Sequence, residues 1–333
     1  MIVVTGGAGF IGSNIIKGLN ERGIDNILLV DDLTNTAKIR NIADLDVADY
    51  MDKHQFRELA RGSGRSESIQ AVFHQGACSD TMATDGRYVM DNNYEYSKDV
   101  FRFCREHNAQ FLYASSASVY GNNVVFSETP ENEKPLNAYA YSKFQFDRYL
   151  ARQDLSALKQ AVGLRYFNVY GYREQHKQRM ASVAWHFFNQ YRDHGRIKLF
   201  EGSGGYGNGE QRRDFVFIED VVAVNLFLLE NPDVSGVFNV GTGASSTFND
   251  MAVATLRTLQ AIDGTEEMSY EEMLDRELIS YTPMPEALHG KYQSYTQADI
   301  AKLREAGYQA DFQDVFQGVG AYVGWLDHEN QSQ

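Results

Sequence analysis

The sequence predicts an α/β fold: a Rossmann-like, doubly wound, mainly parallel sheet with a smaller C-terminal substrate-binding lobe. Three observations predict it. Short apolar strands alternate with helices through the first half of the chain. A glycine-rich turn joins the first strand directly to the first helix. An acidic pair, Asp31-Asp32, closes the second strand about 20 residues further on.

Residues 2–4 form a short buried strand, and the turn after it opens a helix that runs through Leu19. Residues 27–30 are a second apolar strand. Residues 71–74 and 110–114 read as further strands, separated by a helix over 93–107. Residues 161–165 follow the helix that carries Tyr139. Beyond Tyr166 the rhythm loosens. Residues 213–218 and 237–240 still have strand character and are expected to return to the first lobe, with a helix over 220–230 between them. This gives a dinucleotide-binding domain over 1–167, rejoined by 214–240. The substrate-binding lobe then takes 168–213 and 241–327, at the carboxyl edge of the sheet where ligands bind in such folds. Surface loops are expected at 62–68, 202–210 and the acidic stretch 263–277, the last with room for a helix. There are no repeats and no long linker.

A chain of 333 residues buries a substantial core. Its net charge of −14 argues against nonspecific binding to nucleic acid or to an anionic membrane. The two cysteines, Cys78 and Cys104, lie in apolar surroundings and read as buried structural thiols rather than a disulfide framework or a metal site. No leader pattern and no bilayer-length apolar run is found, so a cytoplasmic location is expected.

The turn reads Thr5-Gly-Gly-Ala-Gly-Phe-Ile-Gly12. Gly6, Gly9 and Gly12 fit GxxGxxG, while Gly7, Gly9 and Gly12 fit GxGxxG. Glycines permit the tight turn and a close approach to a pyrophosphate, and the helix N-terminus supplies oriented N–H groups. Asp31 is placed to bind an adenosine ribose. Asp31 and Asp32 would repel a 2′-phosphate and so favour NAD, whereas Lys38, Arg40 and Lys53 would offset that repulsion and admit NADP. These residues leave the two cofactors open.

Tyr139-Ala-Tyr-Ser-Lys143 sets a phenol and an ammonium one helical turn apart on one face. A nearby ammonium favours the phenolate, which makes the pair a candidate proton-transfer device for an alcohol. Tyr141 lies only two residues from Lys143 and faces elsewhere. Ser116 follows another predicted strand and can hydrogen-bond the reacting oxygen, with Ser115 and Ser118 as alternatives.

Together these motifs resemble the extended short-chain dehydrogenase/reductase family, whose triad maps to Ser116, Tyr139 and Lys143, Lys143 also holding the nicotinamide ribose. Further blocks resemble the ADP-L-glycero-D-manno-heptose 6-epimerases within that family. They are His74-Gln-Gly-Ala-Cys-Ser79, Asp91-Asn-Asn-Tyr-Glu-Tyr-Ser-Lys98, Arg165-Tyr-Phe-Asn-Val-Tyr-Gly171, His176-Lys177, Met180-Ala-Ser-Val183, Phe200-Glu-Gly-Ser203 and Tyr292-Gln-Ser-Tyr-Thr-Gln-Ala-Asp299. The resemblance implies interconversion of the D-glycero and L-glycero forms of ADP-manno-heptose through a transient ketone at C6″, for lipopolysaccharide core synthesis. It also implies NADP as cofactor, with NAD as the alternative, and a homo-oligomer, commonly a pentamer. Tyr139 and Lys177 would be the acid/base groups on opposite faces of the ketone. By the same resemblance Phe10, Ile11, Asp31, Asp32, Lys38, Lys53, Gln75, Gly76, Ala77, Cys78, Ser79, Asn92, Val169 and Lys177 surround the cofactor. Ser116, Asn168, Arg179, His186, Phe200, Glu201, Gly202, Ser203, Arg213 and Tyr292 contact substrate, Arg213 through the pyrophosphate.

The chain departs from the pattern at several places. Arg179 stands where serine is expected, Tyr172 where proline is usual, and 204–210 and 263–277 are longer than expected. Rival readings are another nucleotide-sugar epimerase or reductase, and a non-catalytic NADP-sensing protein, which typically lacks the Tyr/Lys pair. Ser115-Ser-Ala117 lacks the Asp-Glu pair of a sugar 4,6-dehydratase.

Overall fold

The computed structural model describes residues 1–62, 68–285 and 293–331. In chain order its regular elements begin with β1 (Ile2–Thr5), α1 (Phe10–Asn20), β2 (Ile27–Asp31), β3 (Asp49–Asp52), α2 (Lys53–Arg61), β4 (Ala71–His74), α3 (Gly86–Met90) and α4 (Tyr96–Glu106). They continue with β5 (Gln110–Ser116), α5 (Ala138–Leu150), β6 (Gln160–Tyr166), β7 (Asn168–Tyr170), α6 (Val183–His194), β8 (Ile197–Phe200), β9 (Arg212–Arg213) and β10 (Phe215–Phe217). The last are α7 (Ile218–Glu230), β11 (Gly236–Val240), β12 (Ser246–Thr247), α8 (Phe248–Ile262), α9 (Tyr270–Asp275), β13 (Ile279–Thr282), α10 (Ala301–Glu305) and α11 (Val315–Gln331).

The chain divides into two compact units. The first comprises Met1–Tyr166, Val221–Val240 and Asp299–Gln309; the second comprises Phe167–Asp220, Gly241–Ala298 and Ala310–Gln333.

In the first unit seven parallel strands run in the order β11-β6-β5-β4-β1-β2-β3. β1, β2 and β4 are buried along their whole length, which is why they read as unbroken apolar runs rather than alternating ones. On one face Val3, Leu28, Val72 and Phe111 pack with Phe56 of α2, Val100 and Phe101 of α4 and Phe146 of α5. α7 comes close to α1, where a Cβ on Gly18 would stand 2.6 Å from Val222.

Three features of this unit differ from the sequence expectation. β3 is a half-exposed edge strand whose polar residues carry no apolar signal; pairing with β2 makes it a strand. The helix expected over 93–107 starts earlier, as α3, and is interrupted by a π-turn at Asp91–Glu95. Residues 299–309, expected in the substrate-binding lobe, lie in the first unit, where Lys302 of α10 sits 5.2 Å over the Phe238 ring of β11.

Among the described residues the second unit has three two-stranded sheets, β10 with β7, β12 with β9 and β13 with β8. Phe215–Phe217 therefore pairs with β7 instead of joining the large sheet, because its register partner is Asn168–Tyr170. The buried Asp214 carboxylate accepts hydrogen bonds from Thr242 N and Oγ1, Gly243 N and Ala298 N, which fixes the chain after β11. Capping boxes at Thr247 and Ser269 start α8 and α9, so the acidic stretch 263–277 contains a helix. Arg192 of α6 joins Asp263 and Asp327 at 3.0 and 2.6 Å. No helix among the described residues is long and apolar enough to cross a membrane.

Candidate active site

The glycine-rich turn between β1 and α1 is built by close backbone approach. Gly6 has φ +67°, and a Cβ there would lie 2.6 Å from the Gly76 nitrogen. A Cβ on Gly12 would lie 2.1 Å from the Gly6 carbonyl oxygen. Gly9 is the N-cap of α1 and supplies no side-chain cap, so the first turn presents its backbone N–H groups toward the approach from the strand edge. This cradle fits the pyrophosphate of a dinucleotide: Gly6, Gly9, Phe10, Ile11 and Gly12 can hold it through backbone and helix dipole.

At the end of β2 the two carboxylates are each matched by a lysine. Asp31 is buried, accepting from Ala8 N at 2.8 Å and from Lys38 Nζ at 2.8 Å. Lys53 Nζ stands 2.8 Å from Asp32 Oδ2. The Lys53 hydrogen bond, with others from Thr34, holds the Asp32 carboxyl far below its ordinary range. The acidic pair is thus a locally neutral group of two carboxylates and two ammoniums, which removes most of the repulsion expected against a 2′-phosphate.

β4 ends on His74, a residue the sequence left unassigned. A directed chain of hydrogen bonds fixes its tautomer. Gly76 N donates to Thr5 Oγ1 at 3.2 Å, which leaves the Thr5 hydroxyl proton for His74 Nδ1 at 2.7 Å. Ser97 Oγ donates to Asn93 O at 2.5 Å, so His74 Nε2 must donate to Ser97 Oγ at 2.9 Å. The imidazole is neutral in this chain. Burial first, and the charge of Lys143 second, bring its pKa down to about 3.

Gln75, Gly76, Ala77, Cys78 and Ser79 follow as an irregular segment. Asn93 pins it: its Nδ2 donates to Cys78 O at 2.9 Å and its Oδ1 accepts from Cys78 N at 2.8 Å. The same Nδ2 donates to Ser142 Oγ of α5 at 3.1 Å, and Ser142 Oγ donates to Tyr139 O at 2.7 Å. Asn92, the residue singled out in the sequence, donates to Asn93 Oδ1 at 3.3 Å. Cys104 is buried, but Cys78 is only half-buried.

β5 and α5 bring the remaining groups together. Ser116 lies close enough to the Tyr139 phenol to lower it. Ser118 donates to Ser116 through its nitrogen and its hydroxyl, and Ser115 turns to Asp147. Of the three serines, Ser116 is therefore the one that meets the phenol. Lys143 is buried and donates to the Ala114 carbonyl at 2.7 Å. Burial takes its pKa down to about 8, against the pull of Asp147 and Cys78. The expected lowering of the Tyr139 phenol by Lys143 is not what this arrangement gives. Burial pushes the phenol up, Ser116 pulls it partly back, and the ammonium is engaged by the strand.

The second unit carries the other residues singled out in the sequence. Lys177 lies in the 3-10 turn Gln175–Met180, between Arg173 at φ +69° and Gln178 at φ +48°. Such strained backbone persists where the surroundings over-determine it. Its Nζ is 3.9 Å from the fully buried Glu174 carboxylate, which Ser182 N and Oγ hold at 2.7 and 2.5 Å. Burial lowers the Lys177 ammonium, and Glu174 opposes it. Asn168 and Val169 lie on β7, Asn168 accepting from Thr296 Oγ1 at 3.4 Å. His186 sits half-buried on α6 with its ring 5.0 Å from that of Trp185. Arg179 is exposed. Phe200 ends β8, and Glu201, Gly202 and Ser203 open a loop closed by Gly209 N to Phe200 O and by Gln211 Nε2 to Glu201 O and Ser203 Oγ. Arg213 is buried, donating to the carbonyls of Arg212 and Gln293 and lying over the Phe248 ring. Tyr292 lies outside the described residues.

The sequence reading missed His74, Asn93, Asp147 and Glu174. All are polar and buried in the fold, but a single sequence shows each as an ordinary strand, helix or loop residue. Only the Asn92-Asn93 pair inside an otherwise helical stretch carries a local signal.

The profile described as Epimerase, the NAD dependent epimerase/dehydratase family, matches residues 2–241. The chain is 58% identical over 321 residues to an ADP-L-glycero-D-manno-heptose-6-epimerase of Thiobacillus denitrificans, covering 96% of this chain and 97% of the relative. The crystal structure of the Helicobacter pylori ADP-L-glycero-D-manno-heptose-6-epimerase superposes with a TM-score of 0.79 at 28% identity, covering 98% of this chain and 96% of that one. The UDP-glucose 4-epimerase of Thermotoga maritima, solved with UDP-glucose, gives a TM-score of 0.75 at 26% identity over 99% of each chain.

Proposed function

The chain belongs to the NAD dependent epimerase/dehydratase family, and we propose that it is an ADP-L-glycero-D-manno-heptose 6-epimerase. It interconverts ADP-D-glycero-β-D-manno-heptose and its L-glycero epimer through a transient C6″ ketone, for lipopolysaccharide core heptose synthesis. The observation that carries this reading is the 58% identity across nearly the full length of both chains.

The bound nicotinamide supplies the reversible hydride acceptor. The chain's residues hold and move the protons. Ser116 orients the C6″ oxygen beside Tyr139, Lys143 supplies the neighbouring positive charge, and Lys177 is the second acid/base. Burial raises the Tyr139 phenol and lowers the Lys177 ammonium, the latter against the pull of Glu174. A two-sided epimerisation needs one group that takes a proton and one that returns it. Tyr139 and Lys177 take these two roles, one accepting the hydroxyl proton and the other returning a proton on the opposite face of the ketone. Asn168, Arg179, His186, Phe200, Glu201, Gly202, Ser203, Arg213 and Tyr292 are assigned to substrate.

The cofactor is assigned as NADP rather than NAD. The pairing of Asp31 with Lys38 and of Asp32 with Lys53 supports this, because two lysines then stand where a 2′-phosphate needs donors. Asn92, Val169 and 75–79 complete its surroundings. A cytoplasmic homo-oligomer, a pentamer, belongs to the same proposal.

Purified protein is expected to epimerise ADP-heptose and to leave UDP-glucose unchanged; turnover of UDP-sugars alone would overturn the substrate assignment. Tyr139→Phe is expected to reduce turnover by at least ~10³-fold with the dinucleotide still bound. The mass of the nucleotide released on denaturation decides between NADP and NAD.

A further inference from the structure

Tyr139, Lys143 and Asp147 follow one another at four-residue intervals and form a single stripe along α5. Four consecutive residues of β5 meet that stripe. The Tyr113 hydroxyl donates to Asp147 Oδ1 at 3.0 Å, and the Ala114 carbonyl accepts from Lys143 at 2.7 Å. Ser115 Oγ donates to Asp147 Oδ2 at 2.9 Å, and Ser116 lies beside Tyr139 and lowers its phenol. Asp147 also accepts from Arg165 of β6 through Nε and Nη2 at 3.1 and 3.0 Å. One buried carboxylate thus ties the catalytic helix to two strands.

We propose that Asp147 is a positioning residue for the reaction: it holds the end of β5 in register with α5, so that Ser116 meets Tyr139, and it supplies the counter-charge of the Lys143 ammonium. This rests on the epimerase reading above. A carboxylate fixed by two hydroxyls and a guanidinium cannot rotate without releasing both strands. The titratable groups that act on Lys143 or are acted on by it are Asp147 on its own helix, Cys78 from the segment after β4, and the neutral His74 of β4. Among them Asp147 is the first-ranking influence that keeps the ammonium charged against burial.

The cluster also tells which variant will fold. Arg165 is shared by two carboxylates, Asp147 and Glu133. Asp147→Asn keeps a hydrogen-bonding side chain of the same shape and leaves the buried Arg165–Glu133 pair intact, so the guanidinium keeps a carboxylate partner.

The test is the pH profile of kcat for ADP-heptose epimerisation by the full-length protein, with cofactor content measured alongside. Lys143 loses its proton above about 8 in the intact chain, so activity is expected to fall on the alkaline side. In Asp147→Asn that limb is expected to move to lower pH by about one unit or more, with cofactor retained. An unchanged limb with kcat within about twofold of wild type overturns the proposal. If Asp147→Asn fails to fold, Ser115→Ala with Tyr113→Phe tests the same tie while keeping the charge. That pair is expected to lower kcat at least ~10-fold without moving the limb, and unaltered kcat overturns the proposal. Tyr139→Phe separates the two levels. Full activity in that variant overturns the epimerase reading and this inference with it. An inactive Tyr139→Phe beside a wild-type Asp147→Asn overturns the inference alone.

Discussion

Burial acts on charge without regard to sign, and at the residue scale this is what gives the site its chemistry. It holds the proton on Tyr139 and loosens it on Lys143 and Lys177, while Asp147 and Glu174 work against it from beside the two lysines. None of these shifts is visible in a motif, because they depend on what packs around each group. The acidic pair teaches the same lesson. Read as bare sequence, Asp31-Asp32 opposes a 2′-phosphate; with Lys38 and Lys53 each 2.8 Å away, the net charge is close to zero. Lys53→Ala is therefore expected to weaken NADP binding about tenfold or more and NAD binding by much less, as loss of one charge-assisted hydrogen bond requires. Titration of the cofactor-stripped protein with each nucleotide checks this, and equal losses for both would count against a 2′-phosphate site.

At the scale of elements, β1, its turn and α1 were legible because the requirement is local. A strand, a turn that only glycine can make and an uncapped helix follow one another within twenty residues. Gly12→Ala is expected to lose the copurifying dinucleotide and to lower the melting temperature by a few degrees, since its Cβ would stand 2.1 Å from a carbonyl oxygen. Gly86→Ala, with nothing within 4 Å, is the control and should match wild type on both counts. The π-turn at Asp91–Glu95 was not legible. Helical periodicity continues through it, and only the contacts of Asn93 with Cys78 and Ser142 account for the extra residue. The additional loop after Ser203 was seen as an insertion. Its closure by Asn249, which donates to Asn208 O and Glu210 Oε1, comes from α8, forty residues away in sequence.

The whole molecule answers to pH through a group that is not part of the chemistry. His74 is locked neutral, with a pKa brought down to about 3 from an unfolded value of 6.5. A depressed pKa contributes stability that is intact above the unfolded value and is lost as pH falls toward the folded one. The chain should therefore lose stability progressively below pH 6.5. His74→Gln is expected to lose about 1–2 kcal/mol less than wild type between roughly pH 7 and pH 5, measured by urea unfolding at both. Equal losses would mean that the imidazole titrates in the fold.

By itself the sequence determined the parallel-sheet fold, the dinucleotide turn and the Tyr139/Lys143 pair, since each is encoded by residues close together in the chain. The family also emerged from the sequence, through blocks spread from the first strand to Asp299. Tertiary structure alone decided which serine meets the phenol, which tautomer His74 carries and which carboxylates counter the two lysines. It also sent Phe215–Phe217 to pair with β7 rather than with the large sheet. These are outcomes of long-range packing: Ser115 and Asp147, or Thr5 and His74, become neighbours only when separate strands and helices close on one another.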